Sequence, residues 1–239
     1  MVVDSGNVEF GCELTYSMVL AWDLFKRGRL NGTISNRGSE PFYYFSPYHF
    51  ERDQPRDDNH GHRPHVADYK KGECPNWKSH YKNRDFVFDK PLYVICNKYN
   101  LEWGDNPVNF LPLDVLLRLV DKLTNYQIIY DRQLPAALWD DNTDYLDLCE
   151  HEVLRDRGVL MLDELGDYNT TKLKVFANCD RFVSVQGGNS VLASCFGGQN
   201  VIYAVKGKEV KSQVYKYFHN LSWCDVRWVR DYKQLIELA

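Results

Sequence analysis

The sequence holds no stretch near the roughly 18 apolar residues that a membrane-spanning helix needs, so no membrane span is expected. It has no long basic stripe. Lys and Arg number 29 against 33 Asp and Glu, for a net charge of −4. Binding to nucleic acid through many phosphate contacts is therefore not expected. No Gly-x-Gly-x-x-Gly follows the first apolar stretch, which argues against a nicotinamide-dependent epimerase or dehydrogenase. No Asp-x-Asp element is present to hold a diphosphate through a cation, and none of the seven cysteines stands in a Cys-x-x-Cys pair. Scattered and odd in number, they read as free thiols of a reducing compartment. The first residues lack a charged and then apolar leader, so no secretory signal is expected. Together these features predict a cytoplasmic location.

The length of 239 residues suits one large or two small domains. Aromatic residues make up 14%, a composition fit for pockets that stack flat rings, but also for any core.

From residue 91 onward the pattern is regular. Leu92–Cys96, Tyr126–Tyr130, Gly158–Leu162, Arg181–Val185 and Asn200–Val205 read as buried strands. Helices are expected over Leu111–Leu123, Tyr145–Arg155, Thr170–Asn178, Ser190–Phe196 and Glu209–Phe218. Strands alternating with helices imply right-handed βαβ units and a mostly parallel sheet. Upstream, Val2-Val3 opens a short strand, a helix spans about Glu13–Lys26 with Gly28 as its stop, and Gly32–Phe45 reads as extended. Residues 51–85 are rich in charge, His and Pro, and read as a long loop. The expected division is 1–88, 89–225 and a C-terminal segment 226–239 that crosses back to the first half.

The strongest chemical signal is Phe182-Val183-Ser184-Val185-Gln186-Gly187-Gly188-Asn189-Ser190, a strand, a Gly-Gly turn and a helix start. Free N–H groups and the helix dipole at such a place suit a phosphate, and glycine lets a ligand approach the backbone. A turn that merely caps a helix is the plain alternative. The second signal is Gly6-Asn7-Val8-Glu9-Phe10-Gly11-Cys12-Glu13, also between a strand and a helix. Glu9 and Glu13 are the candidate catalytic carboxylates, since sugar transfer with inversion needs a base for the acceptor hydroxyl. An acid at a helix start is also explained by the dipole alone. Lys98 and Arg132 follow strands and are candidates to meet a leaving diphosphate. Asp163, with Glu164, is a candidate for a ribose or base edge. Asn7, Tyr43, Tyr44 and His49 are the candidate acceptor residues. His49, His60, His62, His65, His80 and Cys74 raise the question of zinc, but their spacing fits no tetrahedral motif, so no metal site is expected.

The two segments 6–13 and 184–190, with Phe196-Gly197-Gly198, resemble glycosyltransferases of the GT-B fold, including uncharacterised bacterial and large-DNA-virus members of the chlorovirus type. The resemblance implies an α/β protein of two Rossmann-like halves with mostly parallel sheets facing a central cleft. It implies an inverting, metal-independent enzyme of glycan biosynthesis, in the host cytoplasm if viral, with Glu9 as base. It gives Gln186, Gly187, Gly188, Asn189 and Ser190 to the donor diphosphate. The turn resembles the His-Gly-Ala turn of a family that transfers xylose and N-acetylglucosamine, with Gln186 in place of the His. The arginine motif of fucosyltransferases is missing, which places a UDP-sugar, with UDP-xylose as the example, ahead of GDP-fucose. The implied partners are a nucleotide-sugar co-substrate, with no further cofactor, and a glycan or glycoprotein acceptor. A nucleotide- or carbohydrate-binding module without catalysis is the rival reading.

Overall fold

The computed structural model describes residues 1–53, 73–101, 106–132 and 148–239. His60, His62 and His65, and the first residues of the helix expected over 145–155, lie outside the described residues.

Strand β1 (Val2–Asp4) leads through a loop into one unbroken helical run. That run comprises α1 (Phe10–Cys12), a π-helical turn over Glu13–Ser17 and α2 (Met18–Lys26). The Thr15 hydroxyl donates to the carbonyl of Gly11, four residues back, at 2.8 Å. Such back-bonding competes with the regular ladder and accompanies π-type widening. The run ends at Gly28, whose φ of 65° only glycine adopts freely. Strand β2 (Gly32–Asn36) is shorter than the expected extended segment. Gly38 turns the chain at φ 81°, and Pro41 opens a 3₁₀ turn over Glu40–Tyr43. Strand β3 (His49–Arg52) follows, and β1, β2 and β3 form a parallel three-stranded sheet in that order.

The second sheet has six strands: β4 (Leu92–Asn97), β5 (Gln127–Arg132), β6 (Leu160–Met161), β7 (Arg181–Val185), β8 (Gln199–Tyr203) and β9 (Asp225–Val229). All pairs are parallel, in the order β6-β5-β4-β7-β8-β9. Counted within the sheet this is 3-2-1-4-5-6, the doubly wound order of dinucleotide-binding folds, which reverses direction between its first and fourth strands. The expectation of an α/β protein with parallel sheets holds. One apolar core runs from Val3, Leu14 and Phe42 through Trp77 to Val94, Phe176 and Phe196, across the boundary drawn near residue 88. A second core, on the other face of the six-stranded sheet, gathers Tyr93, Ile95, Leu116, Tyr130 and Val201.

Helix α3 (Trp77–Tyr81), inside the stretch read as loop, seats Trp77 in the first core with its indole N–H on the Phe42 carbonyl. Helix α4 (Leu113–Lys122) covers the second core, and α5 (Glu150–Arg155) precedes β6. Helices α6 (Tyr168–Asn178) and α7 (Gly188–Ser194) pack on the first face. The helix expected over 209–218 breaks at Gln213, φ 53°, into α8 (Lys208–Ser212), a 3₁₀ turn and α9 (His219–Ser222). Residues 226–239 stay with the second sheet: β9 is its edge strand and α10 (Tyr232–Leu238) lies against α4 and β8.

Cys74 and Cys195 form a disulfide, which corrects the reading of every cysteine as a free thiol. They stand 121 residues apart, so no local spacing could announce the pair. The other five cysteines take no part in a disulfide. Burial pushes the Cys179 and Cys224 thiols up to about 12, so neither is a nucleophile at neutral pH.

Alternation along β5 turns Asp131 to the first core and Arg132 to the second. Asp131 is fully buried. It forms an ion pair with buried Lys172 of α6 at 3.2 Å and accepts from Tyr168. Breaking such a pair leaves an uncompensated charge and costs about 3–5 kcal/mol, whereas replacing both partners with apolar groups is far milder. Lys172→Met alone should therefore lower Tm by at least about 6 °C. The pair Asp131→Leu with Lys172→Met should recover most of that in a thermal melt.

Candidate functional site

The carboxyl ends of β4 and β7 are neighbours at the point where strand order reverses, and open sheets bind ligands there. The chain places Lys98 just after β4 and Gln186-Gly187 just after β7. Gln186 is buried, and its Oε1 accepts from Lys98 Nζ and from Asn109 Nδ2, each at 3.2 Å. Asn109 in turn holds the loop after β8, accepting from the amides of Val205 and Lys206 at 2.8 and 3.2 Å. Three loops are thus tied to one another at the switch point. Gly187 adopts φ 140°, and a side chain there would reach to 3.4 Å from Lys98 Nζ. The positive φ calls for glycine, and the bare backbone lies beside the lysine ammonium.

Asn189, half-buried in the first turn of α7, is held from below. Its Oδ1 accepts from Lys172 at 3.1 Å and its Nδ2 donates to Asp131 at 3.3 Å. Lys172 also donates to the Tyr168 hydroxyl at 2.9 Å. The buried pair under the sheet therefore fixes the rotamer of the turn. Ser190 is buried, and its hydroxyl donates to the Gly187 carbonyl at 2.7 Å, closing the turn.

The loop after β1 meets this turn. A Cβ on Gly188 would lie 2.7 Å from Phe10 Cδ1 and 3.4 Å from the Gly11 amide nitrogen. Phe10 covers Gly188, so the approachable part of the turn is Gly187 with Lys98. Glu9 caps α1: its two carboxylate oxygens accept from the amides of Gly11 and Cys12, each at 2.9 Å. The Gly11 amide that Glu9 holds thus lies near the Gly188 turn. Asn7 is exposed at φ 67°, a conformation asparagine tolerates, and its amide bonds Asn36 Oδ1 at 3.0 Å. Asn36, at the end of β2, keeps a buried Nδ2 with no hydrogen-bond partner among the described residues.

Other candidates lie deeper. Glu13 is fully buried and takes hydrogen bonds on Oε1 from Ser5 at 2.8 Å and Tyr43 at 2.7 Å. Tyr43 is buried as well, stacked on His49 with centroids 4.7 Å apart. His49 sits between the hydroxyls of Thr33, 2.7 Å from Nδ1, and Ser35, 3.1 Å from Nε2. Tyr44 stacks on His80 at 3.7 Å. Four of these side chains, Ser5, Glu13, Tyr43 and His49, form one polar cluster under the three-stranded sheet, behind the loop rather than on it. Arg132 forms an ion pair with buried Glu150 on the far face of the sheet. Asp163 lies after β6, two strands from the switch point, and Glu164 pairs with Arg155. Among the described residues no group of three or more His, Cys, Asp and Glu is placed to hold a metal ion.

Asp131, Lys172 and Asn109 were not among the residues singled out from the sequence. The alternation of β5 marks Asp131 as facing away from Arg132. Lys172 stands between Thr171 and Leu173 on a helix whose neighbours are buried, the one available hint of a buried charge.

No family model matches the chain, and neither the curated proteins nor the solved structures yield a match. No helix among the described residues is long and apolar enough to cross a membrane.

Two outcomes are expected from this geometry. Gly188→Ala drives a methyl group into Phe10, and overpacking of this kind costs about 1–3 kcal/mol. Denaturant titration should show that loss, and Phe10→Leu should relieve part of it. Burial lowers the His49 pKa below its usual 6.5, outweighing the opposing pull of Glu51, Glu13 and Glu40. Its neutral form is thus the folded one. Its share of stability is present above about pH 6.5 and is lost as pH falls through the lowered value. Thermal melts from about pH 7.5 down to about pH 5 should show a shallower decline for His49→Gln than for the parent.

Proposed function

We propose that the chain is a nucleotide-sugar glycosyltransferase whose donor diphosphate lies over Gly187, between Lys98 and Asn189. The observation that carries this reading is the meeting of two loops at the strand-order reversal: the lysine and glycine turn after β4 and β7, and the carboxylate loop after β1. A nucleoside diphosphate needs a cation, close backbone approach and helix-start amides at one point. Lys98, Gly187 and the first turn of α7 offer these together.

In this reading Glu9 takes the proton of the acceptor hydroxyl as that oxygen attacks the anomeric carbon. The carbon passes through an oxocarbenium-like state, and the nucleoside diphosphate leaves against Lys98. Glu9 is the better-placed acid of the two. It is half-exposed in the loop, while Glu13 is closed off beneath it and holds Ser5 and Tyr43 in position. Arg132 has no part in the donor site here, because Glu150 and the far face of the sheet hold it. A UDP-sugar such as UDP-xylose is the proposed donor, on the resemblance of the turn, with a glycan hydroxyl as acceptor.

A second reading, a binding module without transfer, is favoured by one specific feature. Both oxygens of Glu9 already accept backbone amides, so its place at the helix start is accounted for as a cap without any catalytic part. The two readings separate in one experiment. A panel of UDP- and GDP-sugars is scored by thermal shift and by release of nucleoside diphosphate. A transferase gives both signals, Lys98→Ala loses both, and Glu9→Gln keeps the shift and loses release by at least about 100-fold. A shift without release in the parent chain assigns the module instead. No shift with any nucleotide sugar removes the donor site altogether.

A further inference from the structure

A second site lies at the opposite edge of the six-stranded sheet, where β7, β8 and β9 begin. A cavity of about 420 Å³ opens there, bounded by Asp180, Gly198 and Ser222 on the sheet side. The end of α2 and the segment before α3 supply the other wall, with the Cys74–Cys195 disulfide among its lining. Its volume is in the range that holds a small ligand.

The residue that draws attention is Trp223. It follows α9 with φ 61° and ψ 27°, the left-handed conformation in which helices usually end on glycine. For a bulky side chain this conformation is unfavourable. The strain is not repaid by packing, because Trp223 is 86% exposed. A backbone that suits glycine thus carries the largest side chain available and holds its ring in solvent at the cavity. Trp22 lines the same cavity, stacked on Phe25 with centroids 5.3 Å apart.

The polar lining is balanced in charge. Lys26 pairs with Glu73 at 2.8 Å, and Lys78 pairs with Asp180. Each lysine has an acid beside it, so the site has no surplus charge to draw a phosphate or a carboxylate. What it offers is two indoles, with charged groups that both donate and accept. A neutral saccharide matches that set: its C–H face stacks on indole, and its hydroxyls exchange hydrogen bonds with Lys, Asp and Asn76. A protein partner would find aromatic rings set among two ion pairs rather than a continuous apolar patch.

We infer that this cavity is a saccharide-binding site with Trp223 as its stacking platform, separate from the donor site on the other edge. The inference stands on the cavity chemistry and not on the donor reading. The test titrates neutral xylo-, manno- and cello-oligosaccharides while tryptophan fluorescence is followed, in the parent chain and in Trp223→Ala, Trp223→Phe and Trp223→Gly. The parent should give a saturable change with at least one series. Trp223→Ala should weaken it about tenfold or more, and Trp223→Phe should keep part of it. Trp223→Gly should lose binding and raise Tm by about 2–4 °C, since glycine relieves the backbone. The thermal shift with UDP should be the same in all four proteins, which keeps failure here distinct from failure of the donor site. Three results overturn the inference: no fluorescence response to any series, equal binding by Trp223→Ala, or a parent dimer that Trp223→Ala converts to monomer.

Discussion

The arrangement of the molecule depends on one buried ion pair. Asp131 and Lys172 are both almost fully withdrawn from water. A charge in that position is tolerable only when its partner and further hydrogen bonds are held in place. Tyr168 and Asn189 complete the set. Lys172 and Tyr168 sit on α6, Asp131 on β5 and Asn189 at the start of α7, so three elements are fixed relative to one another by charge rather than by shape alone. Burial also pushes the neighbouring Cys96 thiol well up, with the Asp131 carboxylate adding to it, which keeps that cysteine neutral beside the pair. An apolar filling of the same volume would hold the elements together as firmly, but it would leave Asn189 with nothing to orient it.

The first core is shared between the two sheets for a separate reason. The six-stranded sheet needs cover on both faces. On one face α4 and α10 provide it. On the other, α6 and α7 are joined by the helical run that begins at Phe10, by the turn containing Phe42 and by Trp77. The three-stranded sheet therefore does not float as an independent half. Its helix forms part of the cover of the larger sheet. The contact of Gly188 with Phe10 follows from this, since only a glycine allows the α7 turn to come so close to the incoming helix. Intimate packing brings Glu9 to the turn, and the same packing narrows the room over Gly188.

Much of the second half was legible in the sequence because its signals are local. Leu92–Cys96 and Arg181–Val185 are apolar runs bounded by polar residues, and buried parallel strands leave that trace. The 6–13 and 186–190 segments stood out because glycines mark backbone that a side chain would obstruct. The first half was harder. The strand His49–Arg52 lies on a sheet edge with Phe50 exposed, so it has no apolar run. The helix Trp77–Tyr81 is about one and a half turns long, too short to show a periodicity. Nearness to a strand end predicts depth along the sheet but not which face a side chain takes, so the sequence did not foretell the pairing of Arg132 with Glu150. Asp131 and Arg132 are adjacent in sequence and lie on opposite faces of the sheet. The disulfide was invisible because its cysteines belong to segments joined only by the fold.

The two edges of the six-stranded sheet differ in the electrostatics they present. At the carboxyl edge, Lys98 donates to the neutral side-chain amide of Gln186, beside the bare backbone of Gly187. At the amino edge each lysine lies against a carboxylate. Peptide dipoles in a parallel sheet and its helices add to this contrast, since the helix starts that follow the strands gather at the carboxyl edge. One edge therefore favours an anion and the other a neutral ligand. In the proposed reading an anionic donor and a neutral glycan would each use one edge. Their separation across the length of the strands means that occupancy of one leaves the other open. On this geometry the amino-edge cavity would hold a remote part of a long acceptor, not the hydroxyl that reacts. Its effect on transfer would then depend on acceptor length and vanish for a single sugar.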